Sequence, residues 1–292
     1  MYIASLITNP ANPTLDRAAV EALRNAWGGS DAVWLDVGIA AEFALEALPQ
    51  NRWEVWADYQ RLGVDLCIQP AQGRRKRLLI ADMDSTMIHQ ECIDELADVA
   101  GFGPRVAAIT ARAMNGELDF EAALRERVAL LKGLPISVIQ KVIDTRITLM
   151  QGGPVLLATM RANGAYAALV SGGFTAFTGA IAARLGFDEN RANTLLADGD
   201  ILSGAVADPI LGREAKVQAL TEISARLGIT PAEAIAVGDG ANDLGMLGLA
   251  GAGVALHAKP SVQAQCDLRI NHGDLTALLY LQGIPADEFA DV

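Results

Sequence analysis

Within Arg77-Leu78-Leu79-Ile80-Ala81-Asp82-Met83-Asp84-Ser85-Thr86, an uncharged apolar run breaks into two carboxylates one residue apart. The run, residues 78–81, suits a strand buried on both faces, as in a parallel sheet covered by helices. In open α/β sheets, ligands bind just beyond the carboxyl ends of strands. Asp82 and Asp84 would then stand together at the mouth of a site. Two carboxylates this close repel, and one pKa rises unless a cation intervenes. Taken alone, the pair reads first as a strand end entering an Asx-type turn, and the rest of the chain decides against that.

Two further apolar strands end in polar clusters. Residues 165–170 run into Ser171-Gly172-Gly173, and residues 234–237 into Gly238-Asp239-Gly240-Ala241-Asn242-Asp243, with Lys216 on the helix before. Helices are expected over 155–162, 174–185, 214–227 and near 275–281, further strands over 253–256 and 268–270, and a hairpin over 193–205 around Asp198-Gly199. Strands alternating with helices indicate an α/β fold with a doubly wound parallel sheet. Between residues 90 and 150 no strand is expected. Helices over 91–100, 104–114, 120–131 and 135–150, punctuated by Gly101, Gly116 and Gly133, form a helical cap inserted after the first site strand, where it could act as a lid.

All four tryptophans fall in the first 60 residues, marking a separate α+β unit over 1–72. Strands at 2–8, 32–37, 42–45 and 64–68 with helices at 15–27 and 51–62 give the β-α-β-β-α-β order of ferredoxin-like folds. The unit resembles ACT-type regulatory domains. Its first strand–helix turn, Asn9-Pro10-Ala11-Asn12-Pro13, lacks a glycine for close backbone approach to a ligand, so packing or homodimerisation is expected of it. Residues 69–77 read as a linker whose basic run, Arg74-Arg75-Lys76-Arg77, is a solvated segment, and residues 77–292 form the second domain.

The chain has 292 residues, 51% of them hydrophobic, enough for a sizeable core. A net charge of −12 and a pI near 4.7 argue against nucleic-acid binding, which needs a basic face. No apolar stretch approaches the roughly 20 residues of a membrane span. Residues 1–5 have no basic n-region, so a cytoplasmic protein is expected. Cys67, Cys92 and Cys266 are widely spaced, form no metal or redox motif, and read as reduced thiols. A site for an anion in so acidic a chain must reverse the field locally, with a metal ion or a buried lysine.

The order Asp-x-Asp-x-Thr, Ser, Lys, Gly-Asp-x-x-x-Asp, over residues 78–283, resembles the haloacid-dehalogenase-like (HAD) phosphohydrolases. That resemblance implies Asp82 as nucleophile, forming an aspartyl-phosphate, and Mg²⁺ held by Asp82, Asp239 and the backbone carbonyl of Asp84. It implies Lys216, the Ser171 hydroxyl and the Gly172 amide on the phosphoryl oxygens, with Gly173 beside them and Asn242 near the phosphate. Asp243 would fix Lys216 or the outer shell of the metal, and Thr86 would bond backbone or Asp84. Asp84 would protonate the leaving alkoxide and then deprotonate water, its pKa raised by its neighbours.

Further motifs, Glu91-Cys92-Ile93-Asp94-Glu95-Leu96, Met114-Asn115-Gly116-Glu117-Leu118-Asp119-Phe120 and Leu124-Arg125-Glu126-Arg127-Val128, are similar to those of the phosphoserine phosphatase family. This implies O-phospho-L-serine as substrate in the last step of serine biosynthesis, with Glu91 on its ammonium, Arg127 on its carboxylate, and Met114 and Phe120 as an apolar wall. The alternatives at this point are another small phosphate monoester and a non-catalytic amino-acid-binding module.

Overall fold

The computed structural model describes residues 1–114 and 117–292, with Met114 described in its backbone only. The Met114 side chain, expected on the apolar wall, therefore lies outside the described residues, as do residues 115 and 116.

Strand Leu78–Ala81 lies inside a six-stranded sheet. Across that sheet the strands are Leu268–Ile270, Ala252–Leu256, Ala234–Gly238, Leu78–Ala81, Tyr166–Phe174 and Glu189–Asn193, and every pairing is parallel. The uniform hydrophobicity of residues 78–81 follows from burial on both sides. Leu79 and Ala81 join one apolar layer with Leu169, Val237 and Val254, while Leu78 and Ile80 join the opposite layer with Val170, Ala236 and Leu220. The chain runs outward from Leu78–Ala81 to Glu189–Asn193, then returns to its other flank at Ala234–Gly238. This reversal opens a crevice at the carboxyl ends of these strands, where α/β folds bind ligands.

Helices Cys92–Val99, Gly103–Met114, Phe120–Ala129 and Ser137–Thr145 follow the first strand. The last is shorter than the expected 135–150. Beyond it Leu149 bridges to Ile88, and the Thr148 amide donates to the Gln90 side chain at 2.9 Å, so this segment pairs sideways instead of coiling. The hairpin Leu195–Asp198 and Ile201–Val206 reaches across to the helical insertion, where the Leu202 amide donates to Leu134 O (2.8 Å) and the Ile136 amide to Asp200 O (2.8 Å). Strand Glu189–Asn193 was not expected, because its residues, Glu-Asn-Arg-Ala-Asn, are mostly depleted in strands. It forms an edge, where polar residues are tolerated.

Residues 2–70 form a four-stranded antiparallel sheet in the order Val33–Asp36, Ala40–Leu45, Tyr2–Ile7, Asp65–Pro70, with helices Arg17–Trp27 and Arg52–Arg61. Its buried residues, Phe43, Leu6, Val20 and Leu66 among them, make a core of their own. The basic run after it is solvated at Arg75 and Arg77, as expected, but each of its four residues is also tied to the rest of the protein. Arg74 pairs with Glu42 and donates to Leu281 O (3.0 Å), Arg75 pairs with Glu288, Lys76 donates to Ala232 O (2.8 Å), and Arg77 pairs with Glu233. A second tie lies deeper. The fully buried Asp65 carboxylate accepts the amides of Asn271 (2.9 Å), His272 (3.0 Å) and Gly273 (2.8 Å). Among the described residues, no helix is long and apolar enough to cross a membrane.

Candidate active site

The three polar clusters converge on one cavity of about 250 Å³. Asp82, Asp84, Glu91, Phe120, Arg127, Ser171, Gly172, Gly173, Asp239 and Asn242 all line it, whereas Lys216, Asp243 and Thr86 do not.

Lys216 sits on helix Arg213–Arg226 in line with Ala219, Leu220 and Ile223, so the apolar face of the helix carries it inward to 2% exposure. Its Nζ lies 2.8 Å from Asp82 Oδ1 and 2.5 Å from Asp243 Oδ1. The Asp243 carboxylate also accepts the Gly240 amide at 2.9 Å, closing the turn after strand Ala234–Gly238. A Cβ on Gly238 would collide with that carboxylate, which is why the turn opens on glycine. On Asp82, the Met83 amide and Lys216 both engage Oδ1, and Oδ2 accepts no hydrogen bond among the described residues.

Asp82, Asp239 and Asp243 bring carboxylate oxygens within 4.8 Å of one another. Among the described residues Lys216 alone is in ion-pair contact with this cluster, and Lys259 acts on Asp239 from farther off, so three carboxylates still outnumber the ammoniums. Burial pushes Asp239 up to about 6, with the Asp243 charge adding to the rise. Burial likewise drives Asp82 well above the ordinary carboxylate range, against the pull of Lys216. Burial lowers the Lys216 ammonium, but Asp82 and Asp243 together carry it above its usual value. Asp243 has both oxygens engaged by Lys216 and the Gly240 amide, so Asp82 and Asp239 are the hard donors left to a divalent cation, which the charge deficit fits. The Asp84 carboxylate stands outside this cluster. The Cys92 amide donates to its Oδ1 at 3.2 Å, and a Cβ on Gly173 would come within 2.9 Å of its Oδ2. Burial, then the Glu91 charge, raise it to about 7. The Thr86 hydroxyl lies 3.4 Å from Asp239 Oδ1 instead of contacting Asp84.

Opposite the carboxylates, helix Phe120–Ala129 starts at Asp119, whose side chain accepts the Ala122 amide at 2.7 Å. It buries Ala123, Leu124 and Val128, which leaves Arg127 turned to the cavity, its Nε donating to Ala123 O at 3.3 Å. Among the described residues no carboxylate lies within ion-pair distance of Arg127. Burial lowers its pKa, opposed by Asp94, Glu91 and Asp84. Glu91 is fixed by the Ser85 hydroxyl, which donates at 2.8 Å from a residue with φ of 55°. The Ser171 Oγ accepts the Gly173 amide at 2.9 Å, which leaves its own proton free to donate.

Two residues escaped the sequence reading. Lys259 lines the cavity, its backbone amide donates to Asp239 O at 3.3 Å, and its charge acts on the Asp239 carboxyl. Nothing in His-Ala-Lys-Pro marks it out. Asn193, only 2% exposed, donates to Gly172 O (2.9 Å) and Leu211 O (3.2 Å) and accepts the Leu211 amide (2.7 Å), so it clamps the Ser-Gly-Gly loop.

Residues 79–248 match the model of the haloacid dehalogenase-like hydrolase family. The chain belongs to that family. The HAD architecture extends to solved relatives: a HAD-family hydrolase from Salmonella enterica serovar Typhi aligns with a TM-score of 0.86 at 34% identity, over 96% of this chain and 98% of that one. Its coverage includes the tryptophan-rich first unit. A phosphoserine phosphatase from Polaromonas is 47% identical over 210 residues, 70% of this chain and 89% of its own. A phosphoserine phosphatase solved as a phospho-aspartyl intermediate analogue aligns at 40% identity with a TM-score of 0.65, over 70% of this chain and 98% of that one.

Proposed function

We propose that this HAD hydrolase is a phosphoserine phosphatase, converting O-phospho-L-serine to L-serine and inorganic phosphate at the close of serine biosynthesis. One observation carries the reading: a single cavity holds Asp82 and Asp84 together with Glu91 and Arg127. The substrate has an ammonium, a carboxylate and a phosphate, and the cavity offers a counterpart for each.

Arg127 takes the carboxylate with its planar fork, and Glu91, held by Ser85, takes the ammonium. Phe120 closes the apolar side. The Ser171 hydroxyl, the Gly172 amide and Asn242 face the phosphoryl oxygens. Asp82, Asp239 and the Asp84 backbone carbonyl would hold Mg²⁺, which would supply the charge neutralisation that lets an anion approach carboxylates. Asp82 attacks phosphorus through Oδ2, the oxygen left free by Lys216 and Met83. As the P–Oδ2 bond forms, the phosphorus–serine oxygen bond breaks, and protonated Asp84 gives its proton to the departing oxygen. Asp84 then takes a proton from water as that water attacks phosphorus, and the Asp82 carboxylate is released. Lys216 acts through Asp82, fixing its orientation and charge from beneath, and is not a wall of the substrate cavity. Lys259 adds positive charge to the cavity lining.

The reading divides the chain into residues 1–72 and 77–292 with a cap over about 90–150, in a cytoplasmic enzyme. Homodimerisation through the first unit draws support from edge strand Val33–Asp36 and the turn after it, which leave Val33 and Val37 at 57% and 83% exposure. The deciding experiment is phosphate release from phosphoserine with and without Mg²⁺, repeated for Arg127→Ala against a generic aryl phosphate. Turnover should need the cation, and Arg127→Ala should harm phosphoserine far more than the aryl ester. Equal loss on both would reject the role of Arg127.

A further inference from the structure

Helix Arg52–Arg61 and strand Asp65–Pro70 border a second cavity, of about 190 Å³, that shares no residue with the catalytic one. Its walls are apolar and aromatic, with Leu48, Trp53, Trp56 and Ile68 among them, while Arg52 and Asp267 bring one charge of each sign. Neither charge has an ion-pair partner among the described residues. The Arg52 guanidinium rests 5.3 Å from the Trp53 ring centroid. The walls are preformed: Trp53 and Trp56 meet edge to face at 6.2 Å, and the Arg269 guanidinium stacks 3.9 Å and 4.9 Å from their centroids. The Trp56 indole N–H is shut off from solvent and has no acceptor, a costly state for a buried donor.

A largely apolar pocket with a few polar groups is the usual form of a small-molecule site. An unpaired guanidinium in its wall asks for a planar anion. The volume lies below the roughly 300 Å³ where drug-sized ligands begin, which limits the ligand to a small molecule. We propose that this cavity binds a small apolar carboxylate, with the carboxylate on Arg52 and the body against Trp53, Trp56, Leu48 and Ile68. Asp267 determines whether the ligand also carries an ammonium. The site lies apart from the first strand–helix turn at residues 9–13.

All four tryptophans lie in residues 1–60 and two of them wall the cavity, so intrinsic fluorescence of the full chain with Mg²⁺ reports binding directly. The probes are L-leucine, L-phenylalanine, 4-methylpentanoate, 3-phenylpropanoate and 3-phenylpropanamide. At least one carboxylate should give a saturable change below about 10 mM, with the amide about tenfold weaker, and Arg52→Gln should weaken carboxylate binding about tenfold with phosphoserine turnover unchanged. If Asp267→Asn weakens only the amino acids, the ligand is a zwitterion; if it leaves all probes unchanged, the ligand is a simple acid. No saturable change with any carboxylate, equal binding of acid and amide, or unaltered binding in Arg52→Gln would each overturn the proposal.

Discussion

Replacing Lys216 with methionine removes one ammonium and leaves most of the side-chain volume in place. Two carboxylates then lose their counter-charge, Asp82 at 4% and Asp243 at 0% exposure, with Nζ contacts of 2.8 and 2.5 Å. Breaking a buried pair from one side costs about 3–5 kcal/mol, because the remaining charge stays desolvated. For a chain of 292 residues unfolding as one unit that is a Tm loss of about 5–8 °C. Scanning calorimetry of the metal-free protein checks it, with Arg75→Met as the surface control, since Arg75 and Glu288 are about half exposed and such pairs are worth about 0–1 kcal/mol. Adding Asp243→Asn to Lys216→Met should recover part of the loss by removing one orphaned charge, a coupling on the order of 1–3 kcal/mol. A loss no larger than that of Arg75→Met, or a double variant less stable than the single one, would show that the ammonium does not hold the two carboxylates together.

The pH dependence of stability has a definite sign. Asp84 and Asp239 move from 3.8 to about 7 and about 6 on folding, so the folded chain binds more protons between those values. Their contribution is full below the unfolded pKa and is lost as pH rises through 6 to 7; the metal-free Tm should fall between about pH 5 and pH 8, and a divalent cation should restore it at the upper end, whereas a rising Tm would contradict the assignment. Gly173→Ala puts a methyl within 2.9 Å of Asp84 Oδ2; displacing that acid should cut kcat by about 10- to 100-fold, with Tm nearly unchanged, and an unaffected kcat would free Asp84 from its role. Lys259→Met should lower kcat/KM for phosphoserine about tenfold and flatten its salt dependence, by removing a steering charge; a fall in kcat alone would argue for a different role.

The parallel sheet was legible because burial on both faces demands unbroken apolar runs, and residues 78–81 and 234–237 supply them with polar ends. Glu189–Asn193 was illegible for the opposite reason, being an edge strand whose hydrogen bonds come from its neighbour and not from its own residue preferences. Residues 146–150 carry a helical pattern that a bridge to Ile88 overrides. In the site, short-range motifs placed Asp82, Asp84, Ser171 and Asp239 on one cavity. Lys216 could have been placed more sharply, since a lysine in register with Ala219, Leu220 and Ile223 is carried inward by its own helix. Lys259 and Asn193 follow no motif. Their positions come from where loops cross, and only tertiary contacts reveal that.

Asp65 gives the first unit a grip on the far end of the catalytic sheet. Three consecutive peptide N–H groups, at residues 271–273, end on its carboxylate. A shortened chain beginning at residue 77 would therefore lose more than an appendage: it would leave three donors pointing at empty space beside the last strand, with water as the substitute acceptor. The seam between the two units is built as part of the interior, and pulling on one half strains the other.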